Sequence, residues 1–166
     1  MRAIRALTAG VAAALLAGCG HYQLGSSAEL PFDRLYVAPI TVAAPVPAAA
    51  QPTSAALRDA FVGSPVALAD APDGAARLEV TLVGYQRSPV TALPRDTGRG
   101  ETFDLTLTAE ATLRAPDDTV LLQDRRVTAR TTALADGNFT LAERQAMPAL
   151  AEDLARQLRD LTLNVW

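Results

Sequence analysis

Few residues in this chain are equipped to do chemistry. Cys19 is the only cysteine and His21 the only histidine among 166 residues, so neither a Cys/His nucleophile pair nor a usual zinc site can assemble. No Gly-x-Ser-x-Gly elbow, phosphate-cradling glycine loop or dinucleotide fingerprint occurs. Asp96-Thr97-Gly98 has the form of the aspartic-protease tripeptide. Those enzymes pair two aspartates so that one carboxyl keeps its proton, whereas here a single copy lies between Arg95 and Arg99, whose cations favour the ionised form. It reads as an arginine-braced turn, and the expectation is a protein that is not an enzyme and needs no metal or dissociable cofactor. Two arginine groups remain. Arg87, Arg95 and Arg99 lie in and beside a long loop, and Arg125, Arg126 and Arg130 lie on one strand. Guanidinium forks suit phosphates, which makes these six residues candidate contacts for a phosphate-bearing lipid or a partner. The competing reading is a solvated edge with Asp96, Asp104 and Asp124 as internal partners, and the negative net charge of the chain favours it.

Cys19 is set apart by what precedes it. Arg2 and Arg5 are followed by a 12-residue apolar run from Ala6 to Ala17, the layout of a secretory leader and too short to span a bilayer. Leu16-Ala17-Gly18-Cys19 resembles the lipobox of bacterial lipoproteins, in which the thiol is acylated, the chain is cut before it, and the new N-terminus is acylated too. The expected organisation is a cleaved signal peptide over 1–18, a lipidated N-terminus and tether over 19–30, and one domain over 31–166. Removing 18 of 166 residues leaves 148, enough for one domain with a real core. Each buried methylene contributes about 0.8 kcal/mol, so two or more acyl chains give lasting attachment where one gives only reversible binding. The only group carried besides amino acids is thus a covalent lipid on Cys19, and the membrane is met through that anchor. With a single cysteine the mature chain has no internal disulfide.

Loss of Arg2 and Arg5 leaves 13 basic against 18 acidic residues, a formal charge of -5. That balance argues against nucleic acid or a generally anionic surface as partner. Every basic residue is Arg, usage that a genome rich in G and C produces without functional cause.

The elements that must position these residues follow from pattern. Arg34 to Val42 reads as a first strand that Pro39 ends or confines to an edge. Ala43 to Pro52 is a proline-rich connector, and Ala56, Leu57, Ala60 and Phe61 recur at helical spacing over Thr53–Val62. Leu78, Val80 and Leu82 alternate with Glu79 and Thr81 in a second strand over Arg77–Arg87; a loop over Ser88–Gly100 follows. Phe103, Leu105, Leu107, Ala109, Ala111 and Leu113 share one face of a third strand whose other face is polar and threonine-rich. Val120 to Thr132 is a fourth strand whose alternation slips at Asp124–Arg126, as at a bulge. Thr140 and Glu143 match a capping box for a helix that buries Leu150, Leu154, Leu158 and Leu161, with Pro148 kinking it or marking its start. The expected fold is an α+β two-layer sandwich of order β-α-β-β-β-α, with two helices on one face of a four-stranded mixed sheet. The third strand then leaves its threonine-rich face uncovered.

Cys19-Gly20-His21-Tyr22-Gln23-Leu24-Gly25, Leu35-Tyr36-Val37-Ala38-Pro39-Ile40 and Ala55-Ala56-Leu57-Arg58-Asp59-Ala60-Phe61, with the order of elements after them, resemble the lipopolysaccharide-assembly lipoprotein family LptE. Only Cys19 carries over residue by residue. The resemblance implies a non-catalytic partner anchored on the periplasmic face of the outer membrane and inserted as a plug into the β-barrel LptD, where it helps the barrel assemble and assists lipopolysaccharide passage. Gly20 after the Cys, in place of Asp, resembles the outer-membrane sorting choice. A second reading is an auxiliary lipoprotein of an ABC-type lipid transport system, and a third an anchored hydrolase, for which the sequence shows no convergent polar cleft.

Overall fold

The structure, a computed structural model, describes residues 30–46, 48–90 and 101–164. Three long strands carry it: β4 (Ala76–Pro89), β5 (Glu101–Arg114) and β6 (Val120–Ala135), joined as an antiparallel meander. Their alternation sorts the side chains as expected of a half-buried sheet. Leu78, Val80, Leu82, Leu105, Leu107, Ala109, Ala111, Leu113, Val127 and Ala129 enter the core, while Thr81, Thr106, Thr108, Glu110, Thr112 and Thr128 stand half-exposed on the opposite face. Register shifts break the pattern in both β4 and β6. In β4 the register shifts between Leu82 and Gly84, so the inward positions pass from Leu78, Val80 and Leu82 to Tyr85 and Arg87. In β6 the register shifts opposite Ala111–Leu113, beside Asp124, whose φ is 46°; the expected slip at Asp124–Arg126 is this bulge. Thr112 secures it, its hydroxyl donating to Asp124 Oδ1 and accepting from the Asp124 N–H, each at 3.2 Å.

The sheet has six strands where the sequence suggests four. Pro39, which has no N–H to give, splits the first strand into β1 (Arg34–Val37) and β2 (Thr41–Val42), both parallel to β4. The sixth, β3 (Ala67–Ala69), pairs in parallel with β1. Its Ala-Leu-Ala sequence has little strand propensity, and only the neighbouring edge makes it a strand. The order is β3-β1-β4-β5-β6, with β2 beside β4. The α+β two-layer architecture stands as expected.

Helix α1 (Ala50–Ala60) starts three residues ahead of the expected Thr53. Pro52 lies within its first turn, where a missing N–H costs no intrahelical bond. Leu57 is fully buried on the face that meets the second helix's side of the core, and Gly63, at φ 76°, ends the segment. Helix α2 (Phe139–Leu163) buries Leu150, Leu154 and Leu158 fully and Leu161 in part. Its cap differs from expectation: Asn138, not Thr140, is the N-cap, its side-chain oxygen accepting from the Leu141 N–H at 3.1 Å. Glu143 is thereby released from any capping box and is used elsewhere. Pro148 does not mark the helix start. It lies inside α2 on an exposed position, and the Arg144 carbonyl goes without its usual i+4 donor. Ala56 and Ala60 of α1 and Ala155 of α2 join one hydrophobic cluster with the strand leucines, their small side chains letting helices and sheet approach closely.

Candidate functional site

Among the described residues, Arg87 is not brought together with Arg125, Arg126 and Arg130. The β4 bulge turns Arg87 to the helix side, where its guanidinium lies 4.2 Å from the centroid of the Phe139 ring. Phe139 also meets Phe103 edge-on, ring centroids 4.6 Å apart, and one helical turn on, Glu143 accepts a hydrogen bond from the Tyr85 hydroxyl. Burial, reinforced by this bond and the nearby carboxylate charge, holds the Tyr85 phenol well above its ordinary pKa. The cluster of Tyr85, Arg87, Phe103, Phe139 and Glu143 pins the start of α2 to the far end of β4 and β5. Sequence reasoning missed it because alternation alone assigns Arg87 no partner; Gly84 within the strand was the available signal of a bulge.

Arg126 and Arg130 stand on the opposite, open face. Register places Arg126 across from Glu110 and Arg130 across from Thr106. Arg126 Nη2 meets Glu110 Oε1 at 2.6 Å while its side chain stays 67% exposed, so this pair stabilises the fold only slightly. Arg125 sits at the bulge, exposed, and Arg130 is exposed too; neither has an ion-pair partner among the described residues. The expected carboxylate partners are engaged with threonines: Asp104 accepts from Thr132 and Asp124 from Thr112, each at 3.2 Å. Arg95, Arg99, Asp96-Thr97-Gly98, His21 and Cys19 lie outside the described residues.

The open face is therefore a continuous polar surface. Arg77, Glu79, Thr81 and Gln86 of β4, Asp104, Thr106, Thr108, Glu110 and Thr112 of β5, and Arg126, Thr128, Arg130 and Thr132 of β6 share it by register. Both helices lie on the other side, and no described residue covers this one. Its hydroxyls and mixed charges suit hydrogen bonding across a wet interface. Among the described residues no group of three or more His, Cys, Asp or Glu is placed to hold a metal, and no helix is long and apolar enough to cross a membrane.

Comparison with known proteins now bears on this geometry. Residues 32–161 match the lipopolysaccharide-assembly family LptE. The chain belongs to the LptE family. None of the curated proteins matches it in sequence. Among solved structures it is similar to a minor lipoprotein of Acinetobacter baumannii, at 16% identity and a TM-score of 0.56, covering 80% of this chain and 94% of that one. A Xanthomonas campestris protein of family DUF330 gives 17% identity and a TM-score of 0.57 over 83% of this chain and 89% of its own. A Chlamydia trachomatis hypothetical protein gives 9% identity and a TM-score of 0.53 over 80% and 97%. At these identities the likeness is one of fold, and it places the LptE-family chain in a sandwich that tolerates almost complete replacement of its sequence.

Proposed function

We propose that this LptE-family chain is an outer-membrane lipoprotein, acylated on Cys19 and held on the periplasmic face, that acts without catalysis as the plug and assembly partner of an LptD-like β-barrel in lipopolysaccharide transport. Family membership over residues 32–161 supports this reading, and the observation that carries it is the uncovered threonine-rich sheet face. A barrel lumen is polar and wet, and a face of hydroxyls and paired charges fits it where an apolar face would not. The anchor supplies position: dual acylation holds the domain at the membrane that contains the barrel. Arg126 and Arg130 are the described candidates for contact with the barrel wall or with lipopolysaccharide phosphates.

Co-purification from detergent extract tests the proposal. The expected result is a stable complex with a large outer-membrane barrel, and loss of that barrel from the cell surface when the chain is depleted. Capture of an inner-membrane permease or substrate-binding tether would overturn it in favour of an auxiliary role in ABC-type lipid transport. In parallel, Cys19→Ala is expected to leave no acylated mass and to release a chain with unchanged circular dichroism from the membrane fraction.

A further inference from the structure

The outer edge of β6 is long and unpaired among the described residues: it spans 16 residues and pairs only with β5. The backbone polarity of that edge can be traced. The Ala38 N–H bonds the Leu78 carbonyl and the Ala43 N–H bonds the Leu82 carbonyl, both on the β1 and β2 side of β4, and the Val90 N–H bonds the Thr102 carbonyl of β5. Even-numbered residues of β5 therefore turn their backbone to β4 and odd-numbered ones turn to β6. By the register of Ala109 with Val127 and Leu107 with Ala129, Arg126, Thr128, Arg130 and Thr132 point their N–H and C=O groups outward. An independent contact agrees: Gln157 of α2 reaches the edge and donates from Nε2 to the Thr128 carbonyl at 3.2 Å. That amide supplies the donor that a neighbouring strand's N–H would supply. A groove of about 530 Å³ runs here between the strand and α2, lined by Arg126, Val127, Thr128, Gln157, Asp160 and Leu161.

We propose that this edge accepts an extended, acidic segment of a partner polypeptide as an added antiparallel strand. Main-chain bonds to the N–H and C=O groups of Arg126 and Arg130 and to the Thr128 N–H give affinity, the Thr128 carbonyl being held by Gln157, and carboxylates opposite Arg126 and Arg130 give register. The charge pattern selects the occupant. A second copy pairing about Thr128 would set Arg126 against Arg130 twice, and like charges directly opposite are destabilising, whereas alternating carboxylates meet a cation at each position. The inference goes beyond the barrel reading, because its affinity comes from the outward backbone of one strand, with Arg126 and Arg130 at the rim of the polar face setting only the register.

The test uses two blocked peptides of about ten residues, alternating Val with Glu or Val with Lys, added to the acylated chain in detergent. The expected result is binding of the Glu peptide by fluorescence anisotropy, weakening with salt, with slowed hydrogen exchange at the Arg126, Thr128 and Arg130 amides. Arg130→Pro removes an outward N–H without touching the native ladder and is expected to cut affinity at least about tenfold. Should that variant not fold, the double variant Arg126→Glu with Arg130→Glu carries the test, since both side chains are exposed; it is expected to exchange preference to the Lys peptide. Equal binding of both peptides, absence of protection at these three amides, or dimerisation of the chain through β6 would each overturn the proposal. None of these outcomes depends on whether a barrel co-purifies.

Discussion

Asn138 holds the start of the longest helix through a single side-chain oxygen, and Thr140, the residue that sequence pattern favours for the task, does not. The reason is tertiary. Glu143, which a capping box would need, is drawn to the Tyr85 hydroxyl across the sheet, and without it Thr140 has no reciprocal partner. Asn138→Ala is expected to cost about 1 kcal/mol, read as a lowered midpoint in urea denaturation, while Asn138→Asp retains most of the stability. Tyr85 makes a prediction of opposite character. Its phenol is held protonated above the usual range in the folded state, so its contribution to stability is complete below the unfolded value of about 10 and is lost as pH rises from there through the folded value. Absorbance at 295 nm is expected to show Tyr85 ionising only with alkaline unfolding, and Tyr85→Phe to remove that part of the alkaline stability loss. A Tyr85 that titrates near pH 10 in the folded protein would contradict this. Thr53 is the reverse case, a buried hydroxyl in α1 with no hydrogen-bond partner. Replacing it with the isosteric Val removes an unsatisfied polar atom without opening a cavity, so Thr53→Val is expected to stabilise by about 1 kcal/mol in the same denaturation assay.

At the scale of elements, what the sequence made legible was what a period of two or of 3.6 can carry. The third strand has uninterrupted alternation from Phe103 to Leu113, and β5 extends those bounds by two residues at its start and one at its end. The slip read at Asp124–Arg126 is a real bulge. Three things were not legible, each for a physical reason. β3 is specified by the edge it joins, not by Ala67-Leu68-Ala69. The extent of α1 depends on Pro52 falling within the first turn, where proline is compatible with a helix, although a proline-rich run reads as a connector. The inward turn of Arg87 depends on the register shift at Gly84, which reverses every side chain beyond it. Pro148 shows packing overriding propensity: α2 continues past it because Leu150, Leu154 and Leu158 are completely buried. Leu154→Ala is accordingly expected to destabilise by about 2–5 kcal/mol, with the loss measured by denaturant midpoint.

Across the whole molecule, the division of labour is between a covered side and an open one. Both helices and the aliphatic core lie to one side of the sheet, and the other side is left to threonine and to charged residues, of which Arg126 and Asp104 engage cross-strand neighbours. A protein that only had to fold could leave that face to solvent; the proposed plug role would need a surface that tolerates a second polar wall. Of the candidate site, the sequence disclosed the polar character of this face and put Arg126 and Arg130 on the fourth strand, but not that the register seats both of them on that face, nor that Arg87 would leave for the far side.

Site-specific photo-crosslinking on the full-length chain in living cells addresses the central claim most directly. Thr108 lies at mid-sheet on the open face opposite Gly84, whose missing side chain leaves room for a larger group, and Arg156 lies exposed on the helix side. A photoreactive residue at Thr108 is predicted to give an adduct with the outer-membrane barrel, and the same residue at Arg156 is predicted to give none or far less. Adducts from Arg156 alone, or no barrel adduct from Thr108, would contradict the seating of the threonine-rich face against a barrel.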